Sequence, residues 1–262
     1  MKITPKKSLG QNFLIDKNII KKIVSITEIK NKDVLEIGPG TGNLTQALLR
    51  NNPNKLFVVE KDNNLSDLLD NKFSGEIEII NKDILKIDES KISKSLLIVF
   101  GNLPYNISTE ILLKWIINLS DKKIWFKELI LMFQKEVAER IVANFDTSNY
   151  GRLSIISQWK LNIKKIIDIK ANCFNPKPKI ESSLLHFTLK KDYVSLNVKN
   201  LELITKVFFN HRRKMIKKPM YQLFKNPELI SEKFNIGLNL RPQNLGPKTY
   251  YELAKDFKNL CR

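Results

Sequence analysis

An apolar run that ends in three glycines at alternate positions constrains this chain more than any other feature. It reads Asp33-Val34-Leu35-Glu36-Ile37-Gly38-Pro39-Gly40-Thr41-Gly42, and a helical pattern follows at residues 44–50. A short continuous apolar run bounded by glycines is a buried strand. The glycines give the turn its positive φ angles and let other groups approach the main chain closely. Turns of this kind lie at the carboxyl ends of parallel strands, where open α/β sheets bind nucleosides.

The rest of the first 190 residues agrees with such a sheet. Apolar, partly β-branched runs at residues 34–37, 56–59, 77–80, 96–100 and 129–133 alternate with helical patterns at 44–50, 65–69 and 107–119. This alternation predicts βαβ units and a parallel sheet covered on both faces. An amphipathic segment at 17–28 precedes the first strand, with Asp16 as its N-cap. Residues 151–169 and 181–189 read as further strands, separated by the rigid basic loop Asn175-Pro176-Lys177-Pro178-Lys179. Past residue 190 the pattern changes to short helices at 201–209, 217–224, 228–234 and 250–260. A domain boundary is placed near Tyr193: a Rossmann-like α/β domain over 1–192 and a small all-α domain over 193–262.

The glycine spacing is informative. Dinucleotide sites use G-x-G-x-x-G; here it is G-x-G-x-G, more typical of S-adenosylmethionine sites, which hold no pyrophosphate. Glu60 ends the next strand, 22 residues after Gly38, where an acid accepts from ribose hydroxyls. Asp83 ends the third strand and either accepts from the cofactor's adenine amino group or caps the following helix. Glu36 either reaches the methionine amino group or stands behind the residues that do.

A second signal, Gly101-Asn102-Leu103-Pro104-Tyr105, closes the apolar run at 96–100. The exocyclic amine of adenine is a poor nucleophile because its lone pair is delocalised into the ring. A side-chain and a main-chain carbonyl that accept its two hydrogens draw the nitrogen towards tetrahedral geometry. Asn102 Oδ1 and the Leu103 carbonyl suit this task, Pro104 stiffens the turn, and Tyr105 is positioned to stack on the base. A paired base cannot enter such a pocket, so the target is flipped or single-stranded. Transfer from a sulfonium needs no general base and no metal; the protein supplies position and electrostatics.

Composition supports a polyanionic partner. The net charge is +18 over 262 residues. With 38 Lys and only 7 Arg, an AT-rich genome also accounts for part of this, so the distribution matters more than the total. Residues 191–262 hold 15 Lys and Arg against 6 Asp and Glu, half the net charge in the last quarter of the chain. Arg212, Arg213 and Lys214 stand together there. They either grip RNA phosphates with salt-sensitive affinity or form a solvated basic face. No window is long and apolar enough to span a membrane, and no secretory leader is evident. Cys173 and Cys261 make no disulfide framework, which suits a reducing cytoplasm. His186 and His211 lack metal-ligand spacing, so no metal is expected.

Six motifs in order resemble one family, the small-subunit ribosomal RNA adenine dimethyltransferases (the KsgA family). They are Lys7-Ser8-Leu9-Gly10-Gln11-Asn12-Phe13-Leu14, the glycine run, Asn102-Leu103-Pro104-Tyr105-Asn106-Ile107-Ser108-Thr109, Tyr150-Gly151-Arg152-Leu153-Ser154, Pro176-Lys177-Pro178-Lys179-Ile180-Glu181-Ser182, and Phe209-Asn210-His211-Arg212-Arg213-Lys214. The resemblance implies an S-adenosylmethionine-dependent methyltransferase domain and a small helical rRNA-binding domain. It implies dimethylation of two adjacent adenines in the 3′-terminal hairpin loop of 16S rRNA, within a pre-30S particle and with a part in ribosome biogenesis. Nothing in the chain demands a dimer, and a monomer is expected. By motif, Asn12 and Leu14 join Gly38, Gly40, Glu60, Asp83 and Asn102 at the cofactor, although a buried N-terminal arm explains Asn12 and Leu14 equally well. Phe174 resembles an aromatic that sandwiches the target base against Tyr105; its alternative is core packing. Two other readings stand: a 23S rRNA adenine methyltransferase of the macrolide-resistance type, and a non-catalytic assembly factor.

Overall fold

In the computed structural model, which describes residues 5–6, 10–120 and 123–260, the first half of the chain alternates strand and helix. The order is β1 (Phe13–Leu14), α1 (Lys17–Val24), β2 (Asp33–Ile37), α2 (Asn43–Leu49), β3 (Lys55–Val59), α3 (Asn63–Phe73), β4 (Glu78–Ile80), β5 (Leu97–Asn102), α4 (Ser108–Asn118) and β6 (Phe126–Gln134). Then follow α5 (Lys135–Ile141), α6 (Arg152–Lys160), β7 (Leu161–Ile169), β8 (Phe174–Asn175), β9 (Ser182–Leu189), α7 (Val198–Phe209), α8 (Lys217–Leu223), α9 (Pro227–Lys233) and α10 (Pro247–Leu260).

One seven-stranded sheet runs β4-β3-β2-β5-β6-β9-β7. β4 to β6 pair in parallel, and β9 runs antiparallel to β6, with Leu131 opposite Leu185. All five residues of β2 are buried, as expected of a strand covered on both faces. From β2 the chain steps outward through β3 and β4, then returns to place β5 on the other side. That reversal makes the carboxyl ends of β2 and β5, paired as far as Ile37 and Gly101, the topological switch point where such sheets bind ligands. Asp16 caps α1, accepting from Asn18 N (2.9 Å) and Ile19 N (3.0 Å). Ile20, Ile23 and Val24 of that helix then join the core.

The strand expected over 151–169 is corrected: Arg152–Lys160 is α6, and only Leu161–Ile169 is strand. Ser154, Ile155, Ile156, Ser157, Trp159 and Lys160 are all buried. Burial on every side erases the one-sided helical period, and the β-branched Ile155-Ile156 pair then mimics a strand. Ser154 starts the helix locally, since its Oγ accepts from Gly151 N (3.1 Å) and donates to Arg140 O (2.6 Å).

By internal contact the chain divides into two compact units, residues 1–138 with 163–189, and residues 139–162 with 190–262. The second draws in a segment well before Tyr193 because its core is aromatic and discontinuous in sequence. Phe209 packs on Tyr150 (6.1 Å between centroids) and on Tyr250 (5.8 Å), and Tyr251 Oη donates to Ile155 O (2.7 Å).

Candidate active site

The glycine turn does two jobs. Gly38 (φ 68°) continues the ladder by donating from its N to Val59 O (3.0 Å), and a Cβ there would lie 3.1 Å from Asn102 O. Its missing side chain lets the ends of β2 and β5 converge. Gly40 (φ 56°) has no room for a Cβ, because the Phe13 ring would stand 2.6 Å away. The space at Gly40 is therefore taken by the chain's own N-terminal arm.

Two buried acids stand behind the turn. Glu60 accepts from Asp62 N through Oε1 (2.9 Å) and from Gly40 N through Oε2 (3.4 Å), so it braces the glycine loop. Burial pushes its carboxyl above the ordinary value. Glu36 is 1% exposed, and its Oε2 has no hydrogen-bond partner. Burial, with the Glu60 carboxylate pushing the same way, raises it to about 8. Asp83 caps a 3₁₀ turn at Ile84–Lys86, accepting from Leu85 N (3.0 Å), and pairs with Lys61 (2.8 Å), which holds its carboxyl below the usual range.

The N-terminal arm crosses this floor. Asn12 O accepts from Asn102 Nδ2 (2.8 Å), and Leu14 O accepts from Asn43 Nδ2 (2.9 Å). Phe13 and Leu14 pair antiparallel with Asn175 and Phe174. Sequence reasoning missed Gln11 and Asp62. Asp62 accepts from Lys6 Nζ (2.8 Å) and from Gln11 Nε2 (3.0 Å), tying the arm to the start of α3. Contacts 51 and 56 residues apart leave no local pattern to read.

The turn at Asn102–Tyr105 closes the site. Because Asn102 Nδ2 is engaged by Asn12 O, the amide is fixed with Oδ1 as its acceptor end. Pro104 O accepts from Ile107 N (3.1 Å) and Tyr105 O from Ser108 Oγ (3.2 Å); among the described residues no donor reaches Leu103 O or Asn102 Oδ1. Tyr105 Oη shares a 2.5 Å hydrogen bond with Ser182 Oγ, and burial raises its phenol. Ser182 is a third residue that sequence reasoning missed.

Asn12, Leu14, Gly38, Gly40, Glu60, Asp83 and the whole Asn102–Tyr105 turn line one cavity of about 250 Å³. Phe174 is not part of that lining; it is 2% exposed and packs in the core with Leu14. Arg212, Arg213 and Lys214 belong to the second unit. Arg212 Nη2 donates to Thr147 O (3.0 Å), while Arg213 and Lys214 are exposed. His186 pairs with Glu128 (2.9 Å), away from the cavity lining. Cys173 is buried, and burial with Asp16 nearby raises its thiol; Cys261 lies outside the described residues. Among the described residues, no three His, Cys, Asp or Glu side chains gather into a metal-binding group, and no helix is long and apolar enough to cross a membrane.

Comparison with known proteins agrees on one family. A sequence model described as ribosomal RNA adenine dimethylase matches residues 3–259. A ribosomal RNA small subunit methyltransferase A of Pelagibacter ubique is 61% identical over 261 residues, covering 99% of both chains. Its namesake in Ehrlichia ruminantium is 40% identical over 257 residues, covering 96% of this chain and 97% of that one. Among solved structures, a dimethyladenosine transferase from Plasmodium falciparum superposes with a TM-score of 0.81 at 25% identity, covering 94% of this chain and 98% of the other. The 23S rRNA methyltransferase ErmE shares the fold, with a TM-score of 0.69 at 22% identity over 96% of this chain and all of its own.

Proposed function

The chain belongs to the ribosomal RNA adenine dimethylase family, and from that premise we propose that it dimethylates two adjacent adenines in the 3′-terminal hairpin loop of 16S rRNA, with S-adenosylmethionine as methyl donor. Four methyl groups are transferred in all, two to each N6. The substrate is 16S rRNA within a pre-30S particle, the enzyme acts as a monomer, and the work is done in the cytoplasm, where such particles are assembled. The match over nearly the full length to small-subunit methyltransferases supports this reading over the 23S one. A complete set of site residues supports it over a non-catalytic factor.

The cavity residues fit S-adenosylmethionine. Glu36 Oε2, buried without a donor, suits an ammonium group. Glu60 and Asp83 offer acceptors for ribose hydroxyls and for an adenine amino group, and Asn12, Leu14, Gly38, Gly40 and Asn102 complete the wall. When bound, the cofactor supplies an electrophilic methyl group on a positively charged sulfur, which is a good leaving group. The chain's own residues prepare the nucleophile. Asn102 Oδ1 and Leu103 O accept the two N6 hydrogens and localise the nitrogen lone pair. Pro104 keeps the two acceptors in a fixed relation, and Tyr105 holds the flipped base; Phe174, buried in the core with Leu14, takes no part in that contact. Arg212, Arg213 and Lys214 hold phosphates of the particle.

The observation that carries this reading is the orientation of Asn102, whose amide nitrogen is spent on Asn12 O so that Oδ1 is the free acceptor. Asn102→Ala is expected to lower the rate of transfer at saturating cofactor about 10²–10³-fold, the order seen when one preorganised electrostatic contact to a reacting group is removed. Affinity for the ribosomal particle should stay unchanged. A loss below tenfold in rate contradicts the assigned role.

A further inference from the structure

We propose that the loop at residues 144–147 is a stacking platform for an unpaired base of the RNA substrate, with Phe145 as its face. The proposal rests on the RNA reading above and adds a contact surface to it. Phe145 is 54% exposed, and the other 13 Phe residues are buried or half-buried. A single exposed apolar side chain is ordinary by itself. This one differs in sitting on a loop that hydrogen bonds fasten on either side of it.

Asp146, the next residue, sits at φ 66°, donates from its N to Gln243 O (2.7 Å), and accepts at Oδ1 from Asn244 Nδ2 (2.6 Å). Thr147 Oγ1 donates to Asn144 O (2.7 Å), closing the loop on itself. Thr147 O accepts from Arg212 Nη2 (3.0 Å). The loop is thus fastened to two later segments, and the second fastening seats the Arg212-Arg213-Lys214 stretch beside it. Arg213 and Lys214 are exposed, and no side-chain partner reaches them among the described residues. All these residues lie within one compact unit. From residue 190 onward that unit carries 16 Lys and Arg against 6 Asp and Glu.

An exposed phenyl ring on a fastened loop, beside a basic stretch, matches single-stranded nucleic acid. Every base has a π-face, so stacking is tolerant of sequence, while the cations take the backbone. Bases in an A-form duplex are stacked on each other and offer no face to a ring. The platform therefore selects an unpaired segment next to the phosphates held by the basic stretch.

The test uses the full chain and two labelled probes, a 12-nucleotide mixed-sequence RNA single strand and the blunt duplex of the same sequence, titrated at several salt concentrations. Phe145→Ala should weaken single-strand binding about tenfold, the order for one lost stacking contact. Duplex binding, cofactor affinity and the salt slope should be unchanged, and Phe145→Trp should restore binding. The double variant Arg213→Glu, Lys214→Glu should weaken both probes and flatten the salt slope. Equal loss on both probes after Phe145→Ala, or no loss on either, overturns the proposal. Failure of the wild-type chain to bind either probe also overturns the proposal, whereas the RNA reading itself falls only if methyl transfer to undermethylated 30S particles also fails.

Discussion

Two carboxylates, Glu36 and Glu60, are buried in one wall of the cavity; both Glu60 oxygens accept from main-chain N–H groups, while Glu36 Oε2 has no partner. Burial raises Glu36 to about 8 from an ordinary 4.5. The folded state therefore keeps this proton where the unfolded chain has lost it, and stability falls as pH climbs from about 4.5 towards 8. Glu36→Gln keeps the shape and removes the charge. The melting temperature of that variant should match the parent near pH 5 and exceed it by a growing margin up to pH 8, read by calorimetry without cofactor. A margin independent of pH would contradict the buried-charge account. The same variant should bind S-adenosylmethionine more weakly, because an ammonium group loses its counter-charge. Glu36 and Asn102 were legible because each sits on a strand beside a glycine or proline turn, and Glu60 because it closes the next strand, 22 residues after Gly38. Gln11, Asp62 and Ser182 were not, since each acts through a partner more than fifty residues away.

Among the elements, α4 links the two halves of the site. It begins just after the Asn102–Tyr105 turn, and its Lys114 reaches back to the segment after Asp83. Lys114 Nζ donates to Ile84 O (2.8 Å), Ile87 O (2.6 Å) and Glu89 Oε1 (2.7 Å), and Trp115 Nε1 donates to the same Glu89 oxygen (2.7 Å). The Lys114 side chain is 19% exposed, so these bonds are made in a largely dry setting. Lys114→Met leaves Glu89 buried with one donor fewer, a change that costs about 3–5 kcal/mol when a buried ion pair loses one partner. The wall carrying Asp83 should loosen, with cofactor dissociation constants rising about tenfold by calorimetry and partial recovery in Lys114→Arg. An unchanged dissociation constant would contradict the link. At this scale β2 to β6 were legible as apolar runs of strand length. The helix α6 was hidden by burial on all sides, and β1 and β8, two residues each, are too short to leave a period.

For the whole molecule, charge and topology point the same way. The switch point of a mostly parallel sheet supplies one nucleoside-sized cavity, and half of the +18 net charge falls in the last quarter of the chain. The discontinuity of the second unit was not legible, because the pairing of Phe209 with Tyr150 and with Tyr250 spans 59 and 41 residues. Affinity for ribosomal particles should fall steeply with salt, as expected where phosphate contacts dominate. The central claim is tested most directly by supplying tritiated S-adenosylmethionine with two substrates, undermethylated 30S particles and protein-free 23S rRNA, and identifying the modified nucleosides by mass spectrometry. The account predicts N6,N6-dimethyladenosine, two residues per particle, from the 30S substrate alone. Label in 23S rRNA alone, or tight 30S binding without label, would contradict it.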